Sequence, residues 1–204
     1  MSSSSKTRHS IVPPVVHTGP KPPVHFTSSI SIADSAILIG TGLITIHSES
    51  VIHPRAKLDS TLGRVSVGRR CIIHERATLG AVPTPPPPSM PIVRGGEGMS
   101  VALGDYVIVE VGATVEGGET VIAEGTLIGV GARVGAGAKI GRHCTLTPMS
   151  EIAAGEMLPD FTVVYSNGLR RTDNRGMTEL KNKGITRQID VLRRMIKSNP
   201  QKFA

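Results

Sequence analysis

The segment from residue 122 to residue 164 reads IAEGTLIGVGARVGAGAKIGRHCTLTPMSEIAAGEMLPDFTVV and repeats an aliphatic residue at every sixth position. The repeated residues are Ile122, Ile128, Val134, Ile140, Leu146, Ile152, Leu158 and Val164. The fourth residue after each is usually small, and Glu156 is the exception. A six-residue spacing that holds at all eight positions indicates a regular repeating structure.

A period of six residues fits neither an α-helix nor a hairpin meander, so the repeating unit is a short strand followed by a corner. Strand residues alternate between faces, so the aliphatic residue and the small residue four positions later both point inward. Three such units close one triangular coil, and successive coils stack through backbone hydrogen bonds about 4.8 Å apart. The sequence therefore predicts a parallel β-helix.

The repeats resemble those of the hexapeptide-repeat family, whose members coil left-handed. The resemblance implies an all-β fold, a left-handed parallel β-helix, whereas general crossover rules favour the opposite hand. Aligned by coil, one inward column contains Ile46, Val67, Leu103, Ile122, Ile140 and Leu158. The next inward column contains Ile52, Ile73, Val109, Ile128, Leu146 and Val164. We expect these aliphatic residues, with Val134 and Ile152, to form the core.

The repeat divides the chain into three parts. Residues 1–28 form a tail rich in Ser and Pro that we expect to be disordered. The alternative is a transit peptide, because the tail has no acidic residue. Its prolines argue against this alternative, since they prevent the amphipathic helix that transit peptides form. Residues 29–165 are expected to form the β-helix, interrupted at 81–100 by a loop rich in Pro and Gly. Residues 166–204 are expected to form a basic linker and a C-terminal α-helix.

The composition agrees with a soluble, cytoplasmic protein. Apolar residues make up 39% of the chain, aromatic residues only 2%, and there is no Trp, as expected for a narrow prism filled with aliphatic side chains. No apolar run is long enough to cross a bilayer, so we expect no membrane insertion. Cys71 and Cys144 fall on small inward positions three coils apart, too far for a disulfide, and predict two buried free thiols.

The net charge of +7 belongs to the C-terminal segment, because residues 169–204 contain ten basic and three acidic residues. With few aromatic residues for base stacking, a solvated face or an acidic protein partner is favoured over nucleic acid. Within this segment Ile185, Ile189, Leu192 and Ile196 share one helical face. That face is expected to lie against the chain's own prism, and the alternative is a helix shared with a partner subunit.

Two histidines and a carboxylate fall in one outward column. His53, His74 and Glu110 follow the inward residues of successive coils, so they should be stacked neighbours. They are weak candidates for a zinc site like that of gamma carbonic anhydrases, which use three histidines, because no third His lies near these coils. A hexapeptide acyltransferase would need a general-base His, and His143 is the only candidate at a corner, without an evident orienting carboxylate. We therefore expect no catalytic site, metal or cofactor.

A more specific resemblance involves motifs in a fixed order. The segments VIHPRAKL at 51–58, VEVGA at 109–113 and TVVY at 162–165, the Pro-rich break and the final helix resemble the dynactin subunit 6 family. The resemblance implies a non-enzymatic subunit of the dynactin pointed-end complex in the cytoskeleton, supporting dynein-driven transport of cargo along microtubules. It also implies a heterodimer with a companion β-helix subunit and contacts with other pointed-end subunits. The expected contact surfaces are the end coils and the residues His53, His74, Glu110, Arg187 and Arg194.

Overall fold

The computed structural model describes residues 20–83 and 99–203, which form a left-handed parallel β-helix of about six turns with a C-terminal helix. The fold predicted from the hexapeptide period is confirmed. Most of the expected tail, residues 1–19, and most of the expected Pro-rich loop, residues 84–98, lie outside the described residues.

Three sheets form the faces of the triangular prism. The seven-stranded sheet contains β1 (Val24–Phe26), β4 (Ile44–Ile46), β7 (Val65–Val67), β10 (Val101–Leu103), β13 (Thr120–Ile122), β16 (Lys139–Ile140) and β19 (Met157–Leu158). The eight-stranded sheet contains β2 (Ser31–Ile32), β5 (Val51–Ile52), β8 (Ile72–Ile73), β11 (Ile108–Val109), β14 (Leu127–Ile128), β17 (Thr145–Leu146), β20 (Thr162–Val164) and β21 (Arg170–Thr172). The six-stranded sheet contains β3 (Ile37–Gly40), β6 (Lys57–Ser60), β9 (Thr78–Ala81), β12 (Thr114–Glu116), β15 (Arg133–Val134) and β18 (Glu151–Ile152).

The strand register stacks the inward aliphatic residues in the columns expected from the sequence. Val67 pairs with Leu103, and Ile73 pairs with Val109 in the neighbouring sheet. The ten expected core residues are all buried: Ile52, Ile73, Val109, Ile122, Ile128, Val134, Ile140, Leu146, Ile152 and Leu158. Burying each such side chain contributes roughly 1.5–3 kcal/mol, so the columns supply most of the hydrophobic stabilisation of the fold.

The first and last coils are closed by elements that the repeat does not reveal. β1 lies inside the segment 1–28 that we expected to be a disordered tail. It forms a strand because Val24 and Phe26 pack on the end of the core and pair with β4. β21 lies inside the expected linker and pairs antiparallel with β20. Glu156, the one residue that breaks the small-residue rule, occurs in the last coil and forms an ion pair with Arg170 of β21. Glu156, which is too large for the inward position of a central coil, therefore binds β21, the strand that closes the last coil.

The C-terminal helix α1 (Thr178–Met195) packs on the eight-stranded sheet. Its Ile185 and Ile189 contact Val51 and Ile72, which point outward from the prism. The expected packing of the helix on its own prism is therefore confirmed. A short 3-10 helix (Pro200–Lys202) follows, and Asn199 N–H donates to the carbonyl of Ile32 at 2.8 Å, which ties the C-terminus to the first coil. No helix of the described residues is long and apolar enough to span a membrane.

Cys71 and Cys144 are both free and buried, as expected from their inward positions. Each thiol lies close to a carbonyl of the following coil, with Cys71 Sγ 3.1 Å from the oxygen of Gly104 and Cys144 Sγ 3.2 Å from that of Pro159. Burial raises the pKa of the Cys71 thiol to about 12, so the reactive thiolate does not form near neutral pH.

We predict that both thiols stay unreactive toward a thiol reagent in the folded protein. Both should titrate as free thiols after denaturation without reductant, because each is enclosed in the core as a separate small side chain. The measurement is a colorimetric thiol count before and after denaturation. A disulfide-linked peptide in mass spectrometry would contradict the coil register.

We predict that Ile140→Asp prevents stable folding. Ile140 is 2% exposed in an inward column, between Ile122 and Leu158, so the substitution places an unpaired carboxylate among aliphatic side chains. The expected loss in the free energy of unfolding exceeds about 4 kcal/mol and is measured by urea denaturation. The matched control is Lys139→Asp, which makes the same carboxylate on the exposed side of the same strand. A soluble Ile140→Asp variant with a cooperative transition near that of the control would refute this packing.

Candidate functional site

His53, His74 and Glu110 lie together at one edge of the prism, where the eight-stranded sheet turns toward the six-stranded sheet. Each follows the inward residue of its coil, so the strand register stacks them in order. The two imidazole rings lie 4.5 Å apart, and His74 Nε2 lies 3.9 Å from Glu110 Oε2. The structure thus brings the three residues together as the sequence predicts.

The electrostatic environment keeps His53 uncharged. Partial burial, with a smaller contribution from the adjacent His74, lowers the pKa of His53 from its usual 6.5 to about 4. The Nε2 atoms of His53 and His74 are both buried without a hydrogen-bond partner among the described residues. Two imidazole nitrogens in this state are shielded from solvent and leave their hydrogen-bonding capacity unused.

The cluster does not form a zinc site. Zinc is held by three or four ligand atoms at about 2.0–2.3 Å from one point. Among the described residues no group of three or more His, Cys, Asp or Glu is arranged to hold a metal ion. The residues therefore do not fit the metal of a gamma carbonic anhydrase.

A second cluster lies at the corner between the seven-stranded and eight-stranded sheets. Arg70 donates hydrogen bonds to Glu49 and to the hydroxyl of Tyr106, and its guanidinium lies 5.5 Å from the centre of the Tyr106 ring. The hydrogen bond from Arg70 lowers the pKa of Glu49. The three residues occupy one position in successive coils, just before the small inward residue, and all have positive φ. Alignment of the repeats by coil is the signal that would have found this cluster.

His143 lies at the same corner, two coils further on. Its imidazole fills the space over Gly125, where an added Cβ would lie 2.1 Å from His143 Nδ1, and it stacks on Phe161 with ring centres 5.4 Å apart. No carboxylate pairs with His143 in the described parts of the chain, whereas Glu110 accompanies His74. Among the histidines, the pair of His74 and Glu110 is better arranged for acid and base chemistry.

The structure places the two predicted helix residues away from the histidines. Arg187 lies beside Arg70 and Tyr106 in an open cavity of about 450 Å³ between α1 and the prism. Arg194 lines a different groove, beside Ile30 and Ser31 of the first coil. The histidine cluster is therefore separate from the two helix arginines, which line two different grooves along α1.

No protein-family model matches the chain, and no curated protein matches it. These two comparisons leave the resemblance to dynactin subunits untested, and it stays a prediction.

The chain is similar in fold to several solved structures. A hexapeptide transferase family protein from Anaplasma phagocytophilum has a TM-score of 0.60 at 13% identity, covering 85% of this chain and 97% of that one. A putative acetyltransferase from Bacillus cereus has a TM-score of 0.55 at 18% identity, covering 85% and 92%. A mutant of AntD, an N-acyltransferase from Bacillus cereus in complex with dTDP and coenzyme A, has a TM-score of 0.52 at 14% identity, covering 81% and 89%. At these identities the likeness shows the fold.

These comparisons correct the function expected from the sequence. We expected a non-catalytic subunit of the dynactin pointed-end complex, acting in dynein-driven transport. The proteins that share this fold are instead described as a transferase, an acetyltransferase and an N-acyltransferase, so the expectations of a dynactin role and of no enzymatic activity are wrong. The motifs used for the resemblance contain His53 and Glu110, which we interpreted as contact surfaces for a partner instead of as groups that can take part in a reaction.

We predict that His53 makes the stability of the protein depend on pH between about 4 and 6.5. Its pKa is lowered in the folded state, so the unfolded chain binds more protons in this range and stability falls as the pH drops. In His53→Gln the decrease in Tm between pH 7 and pH 4.5 should be smaller than in the wild type, while the control His25→Gln, at an exposed histidine, keeps the wild-type decrease. An NMR titration of His53 with a midpoint near 6.5 would contradict this environment.

Proposed function

We propose that the chain is an acyltransferase that moves an acyl group from a thioester donor to an amine or hydroxyl acceptor. The observation that carries the proposal is the pair of His74 and Glu110 at 3.9 Å beside the uncharged His53. The proposal is also supported by the similarity in fold to transferases, one of which is an N-acyltransferase in complex with coenzyme A.

The chemistry needs a base that is free to accept a proton. An imidazole can remove the proton of the attacking amine or hydroxyl, and a neighbouring carboxylate stabilises the imidazolium that forms. We assign the first role to His74 and the second to Glu110. His53 stays neutral beside them, so it adds no positive charge to oppose protonation of His74.

The reaction then balances without a further reactant. The acceptor oxygen or nitrogen forms a bond to the thioester carbonyl carbon while His74 takes the proton. The bond between this carbon and sulfur breaks, and the leaving thiolate takes the proton back from the His74 imidazolium. The products are the acylated acceptor and a free thiol.

The surroundings of the cluster suit a donor that carries phosphate groups. The exposed guanidinium groups of Arg55 and Arg76 lie at the same corner, two residues after His53 and His74, and each forms an ion pair with Glu75, which a bound phosphate would replace as their partner. A cavity of about 310 Å³ lies beside Pro54, between the first coil and the end of α1, and both Lys197 and Asp34 line it. Arginine and lysine side chains are suitable partners for the phosphates of a coenzyme A thioester.

The proposal is tested by mixing the purified protein with acetyl coenzyme A and a set of amine and sugar acceptors, and by measuring release of the free thiol. We expect release that depends on an acceptor and falls by about 10²- to 10⁴-fold in His74→Ala, because the base is removed. Glu110→Gln should lower the rate less, since the imidazole remains while the charge beside the imidazolium is lost.

The control is His25→Ala, which removes an exposed histidine of β1 and should leave the rate unchanged. Binding of acetyl coenzyme A is measured in parallel by calorimetry. Failure of the wild type to bind acetyl coenzyme A at millimolar concentration, or equal rates in His74→Ala and the wild type, would contradict the proposal.

A further inference from the structure

The side of α1 that faces away from the prism forms a continuous surface. Leu180, Val191 and Met195 are 61%, 55% and 75% exposed, and they lie along one outer flank of the helix, away from the buried Ile185 and Ile189. At 100° per residue, Gly184 falls within the stripe that these three side chains form. We call Leu180, Gly184, Val191 and Met195 the outer stripe of α1.

One edge of the outer stripe is basic. Lys183, Arg187 and Arg194 follow this edge along the helix at spacings of four and seven residues, so they form a row between the apolar side chains and the grooves that α1 makes with the prism. All three are exposed, and none forms an ion pair with a carboxylate in the described part of the chain. An unpaired basic row beside an apolar stripe fits a partner that has the opposite charge and an apolar stripe of its own.

Gly184 is the second observation that points to a partner. Gly in the middle of a helix costs about 0.5–1 kcal/mol relative to Ala, and no contact among residues 20–83 and 99–203 requires it here. A Cβ at this position would meet no atom within 4 Å, and the residue has no positive φ. A glycine on an exposed helix face does allow another backbone to approach closely. The space over Gly184 is thus open to a second helix.

We propose that the outer stripe of α1 and its basic row are the docking site for an acidic amphipathic helix of a partner protein. A second copy of α1 is a poor occupant, because the helix contains five basic and two acidic residues and two copies repel each other. The chain's own remaining segments do not supply the acidic helix either. Residues 1–19 contain no acidic residue, and residues 84–98 contain one acidic and one basic residue.

A membrane surface fits this face less well. A helix that lies in a lipid interface has a broad apolar face with basic residues flanking it. The outer stripe has three large apolar side chains, and its unpaired basic row follows one edge, whereas the other edge has Gln188 and Lys181, which already forms an ion pair with Asp173. An acidic partner helix requires basic residues along one edge of the outer stripe, since its own carboxylates lie along a single edge when the two helices pack.

The test is site-specific photo-cross-linking of the full chain in its native cells, with the photoreactive residue at Gln188, followed by mass spectrometry of the cross-linked peptide. We expect a peptide from another protein that is net acidic and has apolar residues at helical spacing. The double variant Arg187→Glu/Arg194→Glu should reduce the cross-linking yield at least tenfold. Gly184→Leu should do the same by blocking close approach, while its higher helix propensity preserves α1.

The matched control is Arg171→Glu, the same charge change on the exposed strand β21, which should leave the yield unchanged. No cross-linked partner, a cross-link within the chain or to a second copy, or an unchanged yield in the double variant overturns the proposal. Co-sedimentation with phosphatidylserine vesicles that the double variant abolishes would assign the face to a membrane and would also overturn it. Gly184→Leu should retain acyl transfer, so this test is independent of the proposed activity.

Discussion

The structure depends on the stacking of inward aliphatic side chains in columns. Each coil provides a few large aliphatic residues, and each of these contacts its counterparts above and below, as in the pairing of Ile128 with Leu146. The period that keeps these residues inward also fixes the position of every outward residue relative to the coil before it. Side chains that are about twenty or more residues apart in sequence, such as His53 and His74, therefore become direct neighbours.

Both candidate clusters follow from this geometry, but they differ in electrostatic character. At one corner Arg70 is held by Glu49 and Tyr106, so its charge is already satisfied and the cluster serves the structure. At the other, His53 and His74 have buried nitrogens without partners, and Glu110 lies near only one of them. Unsatisfied polar atoms that persist in a fold need a reason, and a ligand or substrate provides one. His143 Nδ1 is also buried without a partner, but no carboxylate pairs with it among the described residues, so the cluster that includes Glu110 is the better candidate site.

The period predicted the columns, the burial of the core and the stacking of His53 on His74, because all three depend only on counting residues. It did not predict β1 and β21, since Val24 and Arg170 belong to single strands that close the ends and have no repeat to mark them. The sequence also could not predict the lowered pKa of His53, because that pKa depends on how deeply the coil buries the imidazole ring. The wrong functional expectation shows that motifs of the coil identify a fold more securely than an activity.

The central claim is that the coil register places a general base and its carboxylate where a thioester donor binds. The most direct measurement is a crystal structure of the protein with coenzyme A. This account predicts that the thiol of coenzyme A lies within hydrogen-bond reach of His74 and that its phosphates lie toward Arg55 and Arg76. Coenzyme A bound at another corner of the prism, with His74 and Glu110 facing empty solvent, would contradict the account.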